Sequence, residues 1–158
     1  MHTRKHGNIN SKLYKTAKFG KNSCTVYDIN QDFVLMMIAM IRGKASLDTG
    51  TAVSKIWSQK TRAKGLLDDD AGHILSRRLG GRGEAPNLIP QAACVNRGAY
   101  RVFEKYVYDC IAKHDTEAIM RCDLDYGTEL PSRPTRITCS AWFRTGCEAA
   151  TRVFSNPM

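Results

Sequence analysis

The residues able to do chemistry are concentrated between Asp68 and Glu104. They read Asp68-Asp69-Asp70-Ala71-Gly72-His73, then Leu79-Gly80-Gly81-Arg82-Gly83, then Asn87-Leu88-Ile89-Pro90-Gln91, and finally Asn96 and Glu104. Each is weak alone: a histidine after glycine is more often structural, Gly-Gly-x-Gly is usually a flexible loop, and an asparagine near a helix start usually caps it. Together they offer one neutral base, one amide oxygen and one carboxylate, ringed by Arg77, Arg78, Arg82, Arg97 and Arg101. Phosphodiester cleavage uses those parts. A histidine with a pKa of about 6.5 takes a proton from water at neutral pH. A hard cation such as Mg²⁺ keeps most of its waters, so one or two protein oxygens suffice to hold it. Arginines grip phosphate and offset the charge developing on it.

The elements that must position these groups follow from the hydropathy pattern. Residues 23–42 form one hydrophobic element, helical from about Asn30, followed by a connection over Arg42–Gly50. Thr51–Gln59 alternates loosely and predicts a strand. Residues 66–90 carry Gly72, Gly80, Gly81, Gly83 and Pro86 among charged residues, a composition suited to a site built on loops. From Asn96 to His114 the apolar residues recur at three and four, an amphipathic helix whose Tyr100, Phe103, Tyr106 and Tyr108 serve core and interface. On one continuous helix, Asn96 and Glu104 stand roughly 12 Å apart along the axis and ~80° around it. They share a site only if the helix begins after Asn96. Ala118–Tyr126 and Arg136–Phe143 alternate as strands, and Gly146 turns a last hairpin into about Ala149–Phe154. The fold class is α+β, with helices flanking a mainly antiparallel sheet.

Length and charge bound the partners. A chain of 158 residues makes one compact domain, and 42% apolar with 25% charged residues excludes a disordered or membrane-embedded chain. The nine-residue apolar run Phe33–Ile41 is too short to span a bilayer, so no membrane insertion is expected. The start Met-His-Thr-Arg-Lys-His is no secretory signal, which leaves a cytoplasmic location or export by a non-standard route. The net charge of +9 makes nucleic acid the first candidate partner. Residues 1–22 hold Arg4, Lys5, Lys12, Lys15, Lys18 and Lys21 and no acid, and read as a basic arm that adds non-specific affinity for a polyanion. The six cysteines form no Cys-x-x-Cys pair, and Cys110 with His114 lacks a second metal-binding pair. Without a signal peptide, free thiols are favoured over disulfides. Asp68 and Asp69 read as exposed charges or a loop cap.

The string Asp-Asp-Ala-Gly-His-Ile-Leu at 69–75, with Leu-Gly-Gly-x-Gly, Asn-Leu-Ile-Pro-Gln, Asn96 and Glu104, resembles the DNA/RNA non-specific endonucleases of the ββα-metal (His-Me finger) class. It looks closest to the branch found as toxin modules in bacterial polymorphic and contact-dependent systems. The family pattern is Asp-Arg-Gly-His, then an asparagine, then a metal-binding asparagine nine residues on, then a glutamate eight further. Asn87, Asn96 and Glu104 keep those intervals. The likeness covers about residues 48–155 and includes Arg133-Pro134. It divides the chain into a basic arm at 1–22, a hydrophobic element and connection at 23–47, and an endonuclease domain at 48–158. The resemblance implies a ββα-metal core, His73 as general base, Asn96 as Mg²⁺ ligand, and Glu104 on a metal-bound water. Mn²⁺ would substitute for Mg²⁺. Asn87 would support the site and Asp70 would be structural, with Arg77, Arg78, Arg82 and Arg97 as the cations for substrate. The implied substrate is DNA, with RNA as a second polymer, and the implied partner is a neutralising, immunity-type protein. Ala71 departs from the family's arginine and removes one phosphate-facing cation. That departure sustains a rival reading, a catalytically inactive nucleic-acid-binding module on the same scaffold. The cysteines sustain a second rival, a small metal-stabilised or disulfide-stapled interaction protein.

Overall fold

The computed structural model describes residues 14–18, 23–28 and 33–158, with side chains from residue 33 onward. Six strands, β1 (Tyr14–Lys18), β2 (Ser23–Asp28), β3 (Phe33–Arg42), β6 (Glu117–Tyr126), β7 (Pro134–Phe143) and β8 (Ala150–Ser155), make one sheet in the order β1-β2-β3-β6-β7-β8. Every pairing in it is antiparallel. A separate hairpin, β4 (Asp69–His73) with β5 (Leu88–Ala92), precedes helix α2 (Tyr100–His114) and gives the expected ββα unit. The α+β class and the mainly antiparallel sheet are as the sequence predicts.

The core lies between α2 and one face of the sheet. Tyr100, Phe103, Val107, Cys110 and Ile111 form the buried stripe of the helix. Tyr100, Phe103, Val107 and Ile111 pack with Met37, Ala39 and Ile41 of β3, Met120, Cys122 and Leu124 of β6, and Ile137, Cys139 and Ala141 of β7. Alternation in β6 and β7 is what made those strands readable.

Three elements differ from the sequence reading. Phe33–Arg42 is a strand, not a helix. Its inward residues are Met37, Ala39 and Ile41, but the outward Ile38 and Met40 are apolar too, so the period of two is hidden in a continuous apolar run. The expected strand at Thr51–Gln59 is instead helix α1 (Lys55–Arg62). Ser54 caps it by accepting from the Trp57 amide at 3.3 Å, and Lys60 and Arg62 sit in its last turn, where the helix dipole favours cations. The regular part of the long helix begins at Tyr100, after a wider, π-type turn over Val95–Ala99 in which Gly98 has non-helical angles (φ −108°, ψ −111°). Asn96 therefore lies outside the regular helix that carries Glu104.

Of the arm expected at 1–22, residues 14–18 form edge strand β1, hydrogen-bonded to β2; residues 1–13 and 19–22 lie outside the described residues. β3, before residue 48, pairs along most of its length with β6, after it, so one sheet spans the division drawn at 47 and 48.

The free-thiol expectation is corrected for four cysteines. Cys110 is bonded to Cys147 and Cys122 to Cys139, while Cys94 is free and exposed. Cys122 and Cys139 are direct partners in the β6–β7 register, a proximity set by strand pairing. Asp69 is likewise no surface charge. It is buried with Arg133, whose Nε and Nη2 donate to its two oxygens at 2.7 and 2.9 Å. Arg133 also donates to the Asn156 and Pro157 carbonyls, tying β4 to the C-terminal segment. No described helix is long and apolar enough to cross a membrane.

Candidate active site

The last residue of β4 is His73, which places an imidazole at the mouth of the hairpin. Its Nε2 lies 3.0 Å from the Thr51 carbonyl oxygen. A carbonyl only accepts, so Nε2 carries the hydrogen and Nδ1 keeps its lone pair. Burial lowers the His73 pKa below 6.5; the Thr51 carbonyl opposes this, and the nearby Arg77 charge adds to it. At neutral pH the ring is an uncharged base.

Thr51 has no side-chain signature for this role, because its backbone holds the ring. Sequence reasoning missed it for that reason. What fixes Thr51 is the glycine-rich loop. The Thr51 amide donates to the Gly81 carbonyl at 3.0 Å, and the Thr51 hydroxyl accepts from the Gly83 amide at 2.8 Å. A Cβ built on Gly81 would stand 1.7 Å from the Leu75 carbonyl oxygen. The loop is thus packed against residues 50–52 rather than open to a phosphate.

Asn87 completes this clamp from inside. Its Oδ1 accepts from the Leu75 amide at 2.8 Å, and its Nδ2 donates to the Leu75 and Arg82 carbonyls at 2.8 and 2.9 Å. The side chain is fully buried and its polar atoms are engaged by backbone, so it shapes the loop after His73. It does not line the cleft.

The cleft has a volume of about 260 Å³ and is lined by Ala52, Val53, His73, Ser76, Arg77, Asn96 and Glu104. Residues distant in the chain thus converge on one cleft: His73, Asn96 and Glu104. The interrupted helix makes this convergence feasible. Asn96 Nδ2 donates to Asp70 Oδ2 at 2.9 Å, and among the described residues its Oδ1 has no protein donor. Glu104 is half-buried, and burial pushes its carboxyl up to about 8 against the opposing Arg101 charge. Tyr100 anchors the start of α2 by donating to the Ile74 carbonyl at 2.6 Å, one residue past His73. Its hydroxyl oxygen lies 3.6 Å from each sulfur of the Cys122–Cys139 bond.

Of the arginines expected to meet substrate, Arg77 alone lines the cleft, and among the described residues it makes no ion pair. Arg78 stacks its guanidinium 3.7 Å over the Tyr108 ring and faces Asp48 at 3.7 Å. Arg82 is paired with Glu84 at 2.7 Å. Arg97 donates from Nε and Nη2 to the two oxygens of Asp70 at 2.9 and 2.6 Å. Burial is the largest influence on Asp70 and raises its pKa, but the hydrogen bonds from Arg97 and Asn96, with the charges of Arg97 and Arg62, outweigh it and hold the carboxyl below its usual range. No group of three His, Cys, Asp or Glu that could cage a metal occurs among the described residues.

The chain is 32% identical over 151 residues to the protein named probable deoxyribonuclease RhsA of Dickeya dadantii (strain 3937), a match that takes in 96% of the chain. The chain spans about a tenth of that relative's length. Its fold is similar to NucA from Streptococcus agalactiae with magnesium ion bound, at a TM-score of 0.66 and 14% identity over 95% of this chain and 86% of that one. The same nuclease with no metal bound gives a TM-score of 0.62 and 16% identity over 96% and 76%. The family model of the DNA/RNA non-specific endonucleases matches residues 25–140, most of the chain and all the cleft residues, so the chain belongs to that family.

Proposed function

We propose that the chain hydrolyses phosphodiester bonds of DNA, and of RNA, without sequence preference, using a divalent cation held between Asn96 and Glu104 and His73 as the general base. The observation that carries this reading is the His73 ring, with Nε2 committed to the Thr51 carbonyl, on one cleft with an unengaged amide oxygen and a half-buried carboxylate.

The donor set fits a hard cation. Among the described residues Asn96 Oδ1 has no competing protein donor, and Glu104 is a carboxylate whose burial disfavours its charge until an opposite charge sits beside it. Two oxygens and a roomy cleft suit Mg²⁺, which keeps several waters, and Mn²⁺ takes the same ligands. The bound cation supplies positive charge that stabilises the pentacovalent phosphate and the departing 3′ oxygen. The protein does the rest. His73 Nδ1 accepts the proton of the attacking water as its oxygen bonds to phosphorus. Arg77 contacts a non-bridging oxygen and stands in for the cation absent at Ala71. Cleavage of the bond to the 3′ oxygen, which takes up a proton from solvent water as it leaves, gives 5′-phosphate and 3′-hydroxyl ends. Asn87, Gly81 and Thr51 hold the base in place.

Supercoiled plasmid incubated with the chain and Mg²⁺ tests the assignment. Nicking should stop with EDTA and fall about 10²–10⁴-fold in His73→Ala, the usual loss for a general base. An unchanged rate in that variant refutes His73 as base. Retention of DNA without nicking under Mg²⁺ or Mn²⁺ would refute the hydrolytic reading altogether.

A further inference from the structure

Arg97 has the look of a phosphate contact: exposed, cationic and next to Asn96. Its hydrogen bonds say otherwise. Both Nε and Nη2 are spent on Asp70, and Asp70 Oδ2 simultaneously accepts from Asn96 Nδ2. We infer that Arg97 is a positioning residue: with Asp70 it forms a clamp that turns the Asn96 carboxamide so that its oxygen faces the cation. This rests on the reading of Asn96 as a cation ligand.

An asparagine side chain has two ends of nearly equal size and opposite character. A carboxylate only accepts, so Asp70 must draw the NH₂ end, and the oxygen is left on the other side. The carboxylate can impose that choice only while it is itself held. Arg97 holds it in a bidentate fork, which fixes its plane as one ion pair through a single atom would not. The need for such a clamp is local. Asn96 and Arg97 sit in the wide turn before Gly98, where helix packing does not lock their rotamers, and a Cβ built on Gly98 would meet nothing within 4 Å. Partners that orient a ligating side chain typically contribute about 10–100-fold in metal affinity.

Cation affinity measured without substrate separates the two roles of Arg97. Mn²⁺ binding to the whole chain, followed by calorimetry and by the loss of the free-ion resonance signal, should be lost in Asn96→Ala. It should weaken about 10-fold or more in Arg97→Gln and in Asp70→Asn, whose amide can meet either end of Asn96. Arg97→Lys should recover part of the loss, since an ammonium still reaches one Asp70 oxygen. The slope of log K for DNA against log salt, taken in EDTA, should stay as in the native chain for Arg97→Gln. Native Mn²⁺ affinity in Arg97→Gln, with that slope reduced by about 0.9, would overturn the clamp and make Arg97 a phosphate contact. Native Mn²⁺ affinity in Asn96→Ala would instead overturn the ligand reading on which the clamp stands.

Discussion

Removing the buried guanidinium of Arg133 should unfold the site from below. Arg133 and Asp69 have side-chain exposures of 1% and 2%, so neither charge has water to fall back on. Arg133→Met removes both donors to Asp69 and leaves that carboxylate with the Leu66 amide at 2.8 Å as its remaining donor. It also strips the Asn156 and Pro157 carbonyls of their guanidinium donors. Breaking one side of a buried pair costs about 3–5 kcal/mol. Against a total of roughly 5–15 kcal/mol for a domain, that is a large fraction. Asp69→Asn/Arg133→Met should be more stable than Arg133→Met alone, because the amide still accepts from Leu66 and carries no unpaired charge. Urea unfolding of the oxidised chain at neutral pH, fitted for the single variants and the double, gives the coupling. A cost below about 1 kcal/mol for Arg133→Met, or strict additivity in the cycle, would refute the view that this pair anchors β4.

The other expectations concern the catalytic groups and the covalent frame. Because burial lowers the His73 pKa, the proposed base loses its lone pair only as pH falls below 6.5; at saturating Mg²⁺, where the cation would keep Glu104 charged, kcat/KM should therefore be flat near neutrality and drop on the acid side, and a half-maximum above 6.5 under that condition contradicts the assignment. Reduction should destabilise the chain by about 4 kcal/mol for Cys110–Cys147 and about 3 kcal/mol for Cys122–Cys139, from loops with separations of 37 and 17 residues; an unfolding midpoint unmoved by dithiothreitol refutes this. Arg77→Ala should lower the salt slope of DNA binding by about 0.9, whereas Arg82→Ala, already neutralised by Glu84, should lower it less; filter binding over a salt series reads both.

How much of this was legible in the sequence varied with the kind of contact involved. β6 and β7 could be read because their outward residues are mostly polar, β8 because Gly146 marks the turn before it, and α2 because its stripe repeats at three and four. β3 could not, since apolar residues occupy both of its faces. The missed α1 did carry a signal, Ser54 before a helix-forming run with basic residues in its last turn. Asn87, Asn96 and Glu104 stood out by their intervals, but the intervals do not say which side chains turn toward the cleft; Asn87 turns away. Nothing in the sequence indicates Thr51, because any residue supplies a carbonyl. The fates of Asp69, Arg97 and the cysteine pairs depend on which segments the fold brings together, and that is not local information.

The distribution of positive charge within the cleft has a chemical logic that the net charge conceals. A chain at +9 attracts polyanions over its whole surface, which speeds encounter without favouring the transition state. Near the cleft, however, Arg78, Arg82 and Arg97 are each matched by Asp48, Glu84 and Asp70. Their charge is largely cancelled where a phosphate would otherwise be held equally tightly before and during reaction. Arg77, which makes no ion pair among the described residues, is placed to act on two groups at once. It lines the cleft in which the proposed substrate phosphate would sit, and its charge lowers the pKa of the neighbouring imidazole. On the proposed mechanism a bound phosphate would offset that second effect by neutralising the guanidinium, so His73 would be a stronger base in the complex than in the free protein. The proposed base would thereby be kept unprotonated while the site waits and made more basic when there is water to activate.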